Sequence, residues 1–222
     1  MDTMGRPQLA FPSPARLFTP GVTVILILSL IGFLLSVFAS GMAMELLALS
    51  ARHVLHGRVW QLMTYPFVES LPMNLIFTML MVLFVGSAIE REWRTASFLL
   101  LWLVITVVCG VIWVLVNLLL GYDSVGSGAS ACSYGFIAAL GLLFRGKSFF
   151  VLFATVKAEY LAMILIGIAI IMNIMTPMNL VWVMGALVAY VYVKLCWRVG
   201  AKKSRNVGPR GRSRPDSFVD ID

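Results

Sequence analysis

Histidine, cysteine and charged residues are scarce in this chain of 222 residues. It holds two histidines and three cysteines, and only 12% of its residues are charged, about half the share usual in soluble domains. Cys109, Cys132 and Cys196 lie singly in apolar runs, which excludes a disulfide scaffold and leaves packing as their role. His53 and His56 lack a third metal ligand at suitable spacing, so we expect no metal and no other cofactor.

Apolar residues make up 60% of the chain, and its mean hydropathy is +0.95. This composition is typical of a helical protein that crosses the bilayer several times, and the length suits one domain. The net charge of +7 does not indicate nucleic-acid binding, because eight of the 17 lysines and arginines follow residue 193. We interpret them as a cytoplasmic membrane flank and tail.

Six apolar segments predict six transmembrane helices, at about 21–40, 72–89, 97–120, 130–144, 161–175 and 179–197. The first is too long for the apolar part of a signal peptide, so we expect it to remain as a helix. Residues 1–20 form a polar, proline-bearing arm. Residues 198–222 form a basic tail that we predict to be disordered. The tail either binds anionic lipid or is an ordinary positive-inside anchor.

The connections carry most of the polar residues. Residues 41–71 combine apolar residues at helical spacing with basic and aromatic ones, and residues 145–160 surround a short apolar run with charges. We expect both stretches to lie in the membrane interface. With the termini inside, the inner regions carry 15 lysines and arginines, and the outer loops carry only Arg52 and Arg58. The positive-inside rule therefore predicts cytoplasmic termini.

The fourth segment follows a stretch of small and polar residues, SVGSGAS. As a helix, residues 130–144 span about 22 Å, whereas a bilayer core is about 30 Å thick, so Ser130 begins the helix below the outer surface. Non-helical backbone at that depth is stable only inside protein or beside trapped water. Small residues recur at intervals of four and favour close helix packing: Ala131, Gly135 and Ala139.

The octapeptide GASACSYG, residues 128–135, resembles the GxSG-xxx-G signature of the rhomboid intramembrane serine proteases. Ser130 falls at the nucleophile position. The resemblance covers about residues 20–197 and implies an all-α, six-transmembrane-helix rhomboid-like fold. We expect structural roles for seven residues of this framework: Gly128, Ala131, Tyr134, Gly135, Ala139, Gly185 and Glu90.

Three further segments are similar to that family. Trp60-Gln61 stands where the first loop of rhomboids carries a Trp-Arg motif, with Gln in place of Arg. Residues 86–93 resemble the family's G-x-x-x-E segment, with Glu90 at the acidic position. Residues 182–192 parallel its last helix.

The departures from the family pattern fall on the catalytic residues. The last rhomboid helix carries the general base as H-x-x-G, but Trp182 stands three residues before Gly185 here. The histidine and asparagine of the oxyanion side are matched by Asn74 and Thr78, and the glycine after the serine is Ala131. A serine without a proton acceptor is a weak nucleophile, and removing the base costs on the order of 10⁶ in turnover.

Other acid–base groups are expected to lie out of reach of Ser130. Glu69 matches a further rhomboid histidine, and we predict that it lies at or above the outer interface. Lys157 and Lys194 are expected on the cytoplasmic side, which excludes a Ser–Lys pair with Ser130.

Three side chains have alternative interpretations. Trp182 either fills the space that a catalytic water needs or belongs to an interfacial aromatic belt, and its helical spacing favours the first. Tyr134 either lines the cavity beside Ser130 or is a core aromatic. Glu90 is expected to cap a helix or to pair with Arg91 or Arg94.

These residues favour a catalytically impaired rhomboid-like protein of a bacterial-type plasma (inner) membrane. It would bind transmembrane segments of client proteins without cleaving them, with the bilayer as its other partner. The alternative is an active rhomboid endopeptidase with Ser130 as nucleophile, so enzymatic activity stays open. A small-solute carrier is disfavoured, because carriers usually place ionisable groups at mid-depth and these segments have almost none.

Overall fold

The computed structural model describes residues 18–69, 71–144, 148–151, 154–173 and 177–206. Most of this part of the chain is helical. The elements follow in this order: α1 (Pro20–Phe38), α2 (Ser40–Leu47), β1 (Leu49–Ser50), α3 (Ala51–Leu55), α4 (Gln61–Thr64), a 3₁₀ turn (Tyr65–Phe67), α5 (Pro72–Met81), a π-helical turn (Val82–Gly86), α6 (Ser87–Glu92), α7 (Thr95–Leu120), β2 (Val125–Gly126), α8 (Ser130–Leu143), β3 (Ser148–Val151), β4 (Ala154–Lys157), α9 (Ala158–Asn173) and α10 (Pro177–Asn206).

Three helices are long and apolar enough to cross a membrane: Pro20–Phe38, Pro72–Glu92 and Thr95–Leu120. Shorter apolar helices cover Ser130–Leu143, Ala162–Ile171 and Val181–Leu195. Each of the six apolar segments identified in the sequence therefore overlaps a helix. The protein is a helical membrane protein by length and composition of these elements.

The predicted boundaries are wrong at three places. The second helix continues to Glu92 through a π-helical turn, instead of ending at residue 89. Helix α9 begins three residues before its predicted start. Helix α10 continues to Asn206, so residues 198–206 are helical and not disordered. Basic residues there suit a helix C-terminus, which favours positive charge. Residues 1–17 and 207–222, most of the predicted arm and tail, lie outside the described residues.

Proline and glycine set several helix ends. Pro20, Pro72 and Pro177 open α1, α5 and α10, where proline loses no hydrogen bond because the first amides of a helix have no partner within it. Helix α7 ends at Gly121, whose φ of +68° is a left-handed conformation that glycine adopts without strain.

The all-α prediction needs one amendment, because two short antiparallel strand pairs are present. β1 pairs with β2, with Leu49 opposite Gly126, and joins the first connection to the loop before α8. β3 and β4 form a hairpin within the stretch predicted to lie in the interface. Pairs of two to four residues are too short to show the alternation by which a strand is recognised in sequence.

The first connection is folded onto the helices and is not a simple interfacial segment. Gln61 is fully buried, accepts a hydrogen bond from the Ser50 amide at 3.2 Å and donates to the Glu45 carbonyl at 2.9 Å. The Trp60 indole donates to the Leu46 carbonyl at 3.0 Å. Trp60-Gln61 therefore holds this connection together through backbone groups that would otherwise be unsatisfied.

At one end of the bundle, Glu90 ties the start of α1 to α6 and α7. Its buried carboxylate accepts hydrogen bonds from the Gly21 and Val22 amides, both at 2.9 Å, and from the Thr19 and Thr95 hydroxyls. The two amides belong to the first turn of α1, so Glu90 caps that helix across the bundle.

Helix α8 lies at the centre of the bundle. Helix α10 packs against α7, α8 and α9, whereas α5 packs against α1 and α8. Helices α5 and α10 make no extended contact with each other in the part of the chain that the structure describes.

Candidate functional site

Ser130 is the first residue of α8, and its side chain is exposed at the protein surface. The loop that delivers it turns at Gly128, whose φ of +90° is a conformation that side chains rarely adopt. The Gly128 amide donates to the Tyr65 carbonyl at 3.0 Å, which anchors the loop on the first connection. The serine position is thus accessible and rigidly placed.

Glu69 lies beside the residue that precedes Ser130. Its Oε1 accepts hydrogen bonds from the Ala129 amide at 3.1 Å and from the Thr78 hydroxyl at 3.2 Å. The residue is only 4% exposed. The chain therefore folds back and carries this carboxyl to the start of α8, whereas its predicted place at or above the outer interface stays a prediction.

The partner of Glu69 on α5 lies well inside that helix. Thr78 is six residues inside a helix that begins at Pro72, or about 9 Å from its end. Glu69 is also the only acidic residue between Glu45 and Glu90. An acidic residue alone among apolar segments is the sequence signal for this site, since ionisable residues within a membrane are rarely without function.

Burial raises the pKa of Glu69, and its hydrogen bonds with the Ala129 amide and Thr78 oppose this effect. The surrounding groups explain why burial has the largest effect. The hydroxyl of Thr78, the amide of Ala129 and the backbone of Gly128 carry no positive charge that would stabilise a carboxylate.

Asn74 and Thr78 differ in their surroundings. Asn74 is exposed, one helical turn from Thr78 on the same side of α5. Thr78 is buried and donates to Glu69. The Ala129 amide beside Ser130 donates to the same carboxyl, and the oxyanion-side role of Asn74 and Thr78 stays a prediction.

Trp182 is buried and faces the interior of the bundle. Its ring lies between those of Tyr65, with centroids 5.4 Å apart, and Trp113, with centroids 6.1 Å apart, and both pairs are stacked. Of the two interpretations of Trp182, burial inside the protein is observed and a place in an interfacial aromatic belt is not. An indole N–H only donates a hydrogen bond, so this residue cannot accept a proton from a serine.

Tyr65 fixes the other side of the stack. Its hydroxyl donates to the Thr106 carbonyl at 3.0 Å, and burial raises its pKa well above the ordinary value. The ring is fully buried. Tyr65 is therefore a neutral anchor and not a base.

The small residues bring α8 and α10 into backbone contact. A Cβ atom on Gly185 would lie 2.2 Å from the Ala131 carbonyl oxygen, and one on Gly135 would lie 2.6 Å from Ile105 Cδ1. Ala139 is fully buried. At these contacts α8 has no room for a bound ligand.

Tyr134 is half-buried and packs against the hydrophobic core, while Cys132 and Cys109 are buried free thiols. His56 contacts the Arg52 carbonyl at 2.7 Å, and His53 lies 3.4 Å from the Gln61 amide nitrogen. Among the residues that the structure describes, no three metal-ligating side chains cluster. Neither histidine hydrogen-bonds to the serine site.

Comparison with known families gives one match. Residues 21–211 match the sequence model of a family described as "Eukaryotic integral membrane protein (DUF1751)". No curated protein matches the chain. The match covers most of the chain and overturns the prediction of a bacterial-type plasma membrane, because the family is eukaryotic. The serine motif itself does not distinguish bacterial from eukaryotic membranes.

Proposed function

The chain belongs to this family of eukaryotic integral membrane proteins, and on that premise we propose that it is a rhomboid-like protein without peptidase activity. In this proposal it binds transmembrane segments of client proteins within a eukaryotic membrane. Its six apolar segments each cross the bilayer, and both termini face the cytoplasm. The 15-to-2 distribution of basic residues supports this orientation.

Support for the rhomboid-like fold comes from the place of the serine motif. Residues 128–135 form the loop and first turn of a short central helix, and Gly185 of the last helix packs on Ala131. This arrangement suits the resemblance in the sequence, since the motif and the H-x-x-G position meet at one end of the bundle.

The observation that carries the loss of catalysis is the stack of Trp182 between Tyr65 and Trp113. A general base must lie within hydrogen-bonding distance of the serine hydroxyl and accept its proton. Here that position holds an indole, which offers no acceptor. Aromatic stacking on both sides also stabilises the ring, by about 0.5–1.5 kcal/mol per pair.

Client binding is supported by the exposed surface of α5. Met73, Ile76 and Phe77 are exposed apolar residues of this helix, and Asn74 adds an exposed polar side chain among them. A transmembrane segment that packs there would cover apolar side chains of α5 and could satisfy its own polar groups.

Photo-crosslinking in nanodiscs tests this proposal. A photoreactive amino acid replaces Asn74 on α5 or Ile171, which is 71% exposed near the end of α9, as a matched control. We expect a synthetic single-span peptide to crosslink several-fold more from position 74 than from position 171. Mass spectrometry should find the peptide intact. Equal crosslinking from both positions would contradict a binding site on α5.

The alternative is an intramembrane endopeptidase with Ser130 as nucleophile. The observation that favours it is the Glu69 carboxyl next to Ala129, since a nearby carboxylate is a possible proton acceptor. In that case the peptide would be cut, and both Ser130→Ala and Glu69→Gln would abolish the cut. A client-binding protein leaves the peptide intact in all three forms.

A further inference from the structure

Lys194 lies at the end of the apolar part of α10 and folds back along that helix. The apolar stretch covers Val181–Leu195, and Lys194 is about 26 Å along α10 from Pro177, close to the thickness of a bilayer core. Its ammonium nitrogen lies 4.7 Å over the ring of Tyr190, one helical turn earlier. The side chain therefore stays beside the apolar surface, although lysines near a helix end usually extend towards water.

Arg94 is the second basic residue at this place. The rings of Trp93 and Tyr192 lie with their centroids 6.1 Å apart, and this contact brings the turn between α6 and α7 against α10. Arg94 comes directly after Trp93. Lys194 comes two residues after Tyr192, and both basic side chains are exposed. Two long cationic side chains therefore lie on neighbouring parts of the surface.

Neither cation has an acidic partner among the described side chains. The two ion pairs found there lie in the first connection and the loop before α8, at the other end of the bundle. Residues 90–94 and 157–159 each hold as many acidic as basic residues, whereas residues 194–206 hold five basic residues and no acidic one. This end of the bundle therefore attracts anions.

An apolar row runs along α10 beside these cations. Leu187, Val191 and Leu195 recur at intervals of four and are all exposed, so they share one side of the helix. Tyr190 and Lys194 each stand one position before a member of this row. An exposed apolar row that ends at a cation is complementary to an anionic phospholipid, in which acyl chains are joined to a negatively charged headgroup.

We propose that Lys194 and Arg94 bind the phosphate group of an anionic phospholipid whose acyl chains lie along Leu187 and Val191. Phosphate oxygens accept charge-assisted hydrogen bonds from lysine and arginine. Tyr190 positions the lysine, because its ring holds the ammonium group by a cation–π contact. A zwitterionic headgroup is disfavoured, since its own cation would add to a positive surface.

This lipid site goes beyond the proposed function and does not depend on it. It uses neither α5 nor Ser130. It lies at the Glu90 end of the bundle, which the proposed orientation places in the cytoplasmic leaflet. Loss of client binding would leave the lipid site unaffected, and so would the opposite orientation.

Native mass spectrometry of the full chain in detergent tests the site, because it resolves each bound lipid. We expect the first phosphatidylserine to bind several-fold more tightly than the first phosphatidylcholine. In the double variant Arg94→Gln/Lys194→Gln, affinity for the first phosphatidylserine should fall at least about tenfold, since two basic contacts are lost. Phosphatidylserine that binds the unaltered protein no more tightly than phosphatidylcholine would overturn the proposal.

Lys202→Gln/Lys203→Gln is the charge-matched control. Lys202 lies about 12 Å further along α10 than Lys194, a distance at which salt screens exposed charges. The control should therefore lose less than about twofold in phosphatidylserine affinity. An equal loss in the two double variants would overturn a defined site and leave only a positively charged flank.

Substitutions of Tyr190 test the positioning of Lys194 without changing any charge. Tyr190→Leu removes the ring and should weaken phosphatidylserine binding several-fold, whereas Tyr190→Phe keeps the ring and should bind as the unaltered protein does. Thermal unfolding without lipid should give the same midpoint for all these variants, because the altered side chains are exposed. Full binding by Tyr190→Leu would contradict the positioning role.

Glycerophosphoserine, the same headgroup without acyl chains, distinguishes a lipid from a free anion. It should bind at least about tenfold more weakly than phosphatidylserine, because it makes no apolar contacts. Equal affinity for the two would overturn the assignment of a lipid as the ligand.

Discussion

Two buried glutamates join separate parts of the bundle, and their surroundings differ: Glu90 lies near the end of the helix Pro72–Glu92, and Glu69 contacts Thr78 in the first half of that helix. Both oxygens of Glu90 receive donors, two backbone amides and two hydroxyls. Only one oxygen of Glu69 receives donors. Both carboxyl oxygens therefore accept hydrogen bonds from the protein in Glu90, whereas only one does so in Glu69.

The difference predicts which end of the bundle is held more firmly. Glu90 joins α1, α6 and α7 through charge-assisted hydrogen bonds, which are about twice as strong as neutral ones. At the other end, the Glu69 carboxyl joins α5 to the residue before α8 through two hydrogen bonds to one oxygen. We expect the Glu90 end to be the more stable of the two.

The largest effect should come from Glu90→Ala. It leaves the Gly21 and Val22 amides and the Thr95 hydroxyl without their acceptor, and each buried unsatisfied group costs about 1–3 kcal/mol. We expect the stability to fall by roughly 3–5 kcal/mol in thermal unfolding of the reconstituted protein. Glu92→Gln, two residues away and exposed, is the control and should change little. If Glu90→Ala and Glu92→Gln were equally stable, the Glu90 carboxyl would not stabilise its end of the bundle as proposed.

A tight contact on the far side of α8 should give the next largest effect. In Gly185→Ala, the added methyl would meet the Ala131 carbonyl at 2.2 Å, so α10 must move away from α8. Overpacking of this kind costs about 1–3 kcal/mol. Gly167→Ala on α9 is a matched control, because nothing lies within 4 Å of its Cβ position. Thermal unfolding should separate the two, and equal midpoints would contradict the close packing of α8 on α10.

The pH dependence of stability should distinguish the two glutamates more finely. Because burial raises the pKa of Glu69, the folded protein binds a proton that the unfolded chain releases at lower pH. This contribution is complete below the unfolded pKa and is lost as pH rises through the higher folded pKa. Glu69→Gln should remove that loss, so its unfolding midpoint should exceed that of the unaltered protein by a few degrees at pH 8. A lower midpoint at pH 8 would show that the carboxylate form is the stable one.

The smallest effect should come from the exposed pair between Arg52 and Asp123, whose atoms are 2.8 Å apart. Both side chains are more than half exposed, so Arg52→Ala should cost no more than about 1 kcal/mol. The β1–β2 pairing beside it should persist, as amide hydrogen exchange at Gly126 would show. Loss of protection at that amide would mean that the ion pair, and not the backbone pairing, holds the loop before α8.

The helices were predictable where the bilayer imposes their length. Residues 20–38 and 95–120 are long apolar runs bounded by Pro20 and Gly121, so pattern and length coincide with the observed helices. The contacts of Trp182 were less predictable, because Gly185 packs on Ala131 of α8 whereas the Trp182 ring stacks on Tyr65 and Trp113.

The position of Glu69 could not be predicted in the same way. It depends on contacts between distant parts of the chain, such as the Gly128 amide on the Tyr65 carbonyl and the β1–β2 pairing. No local pattern records such contacts. The serine motif likewise could not predict that the family is eukaryotic, because a motif describes the chemistry of a site and not the cell that contains it.

Labelling of the purified, reconstituted protein with a fluorophosphonate probe tests most directly whether the serine site lacks catalysis. Such a probe reacts with a serine only when the hydroxyl is activated by a base. We predict that the unaltered protein is labelled no more than Ser130→Ala. Labelling of the unaltered protein that disappears in Ser130→Ala would contradict the proposal and establish a working nucleophile.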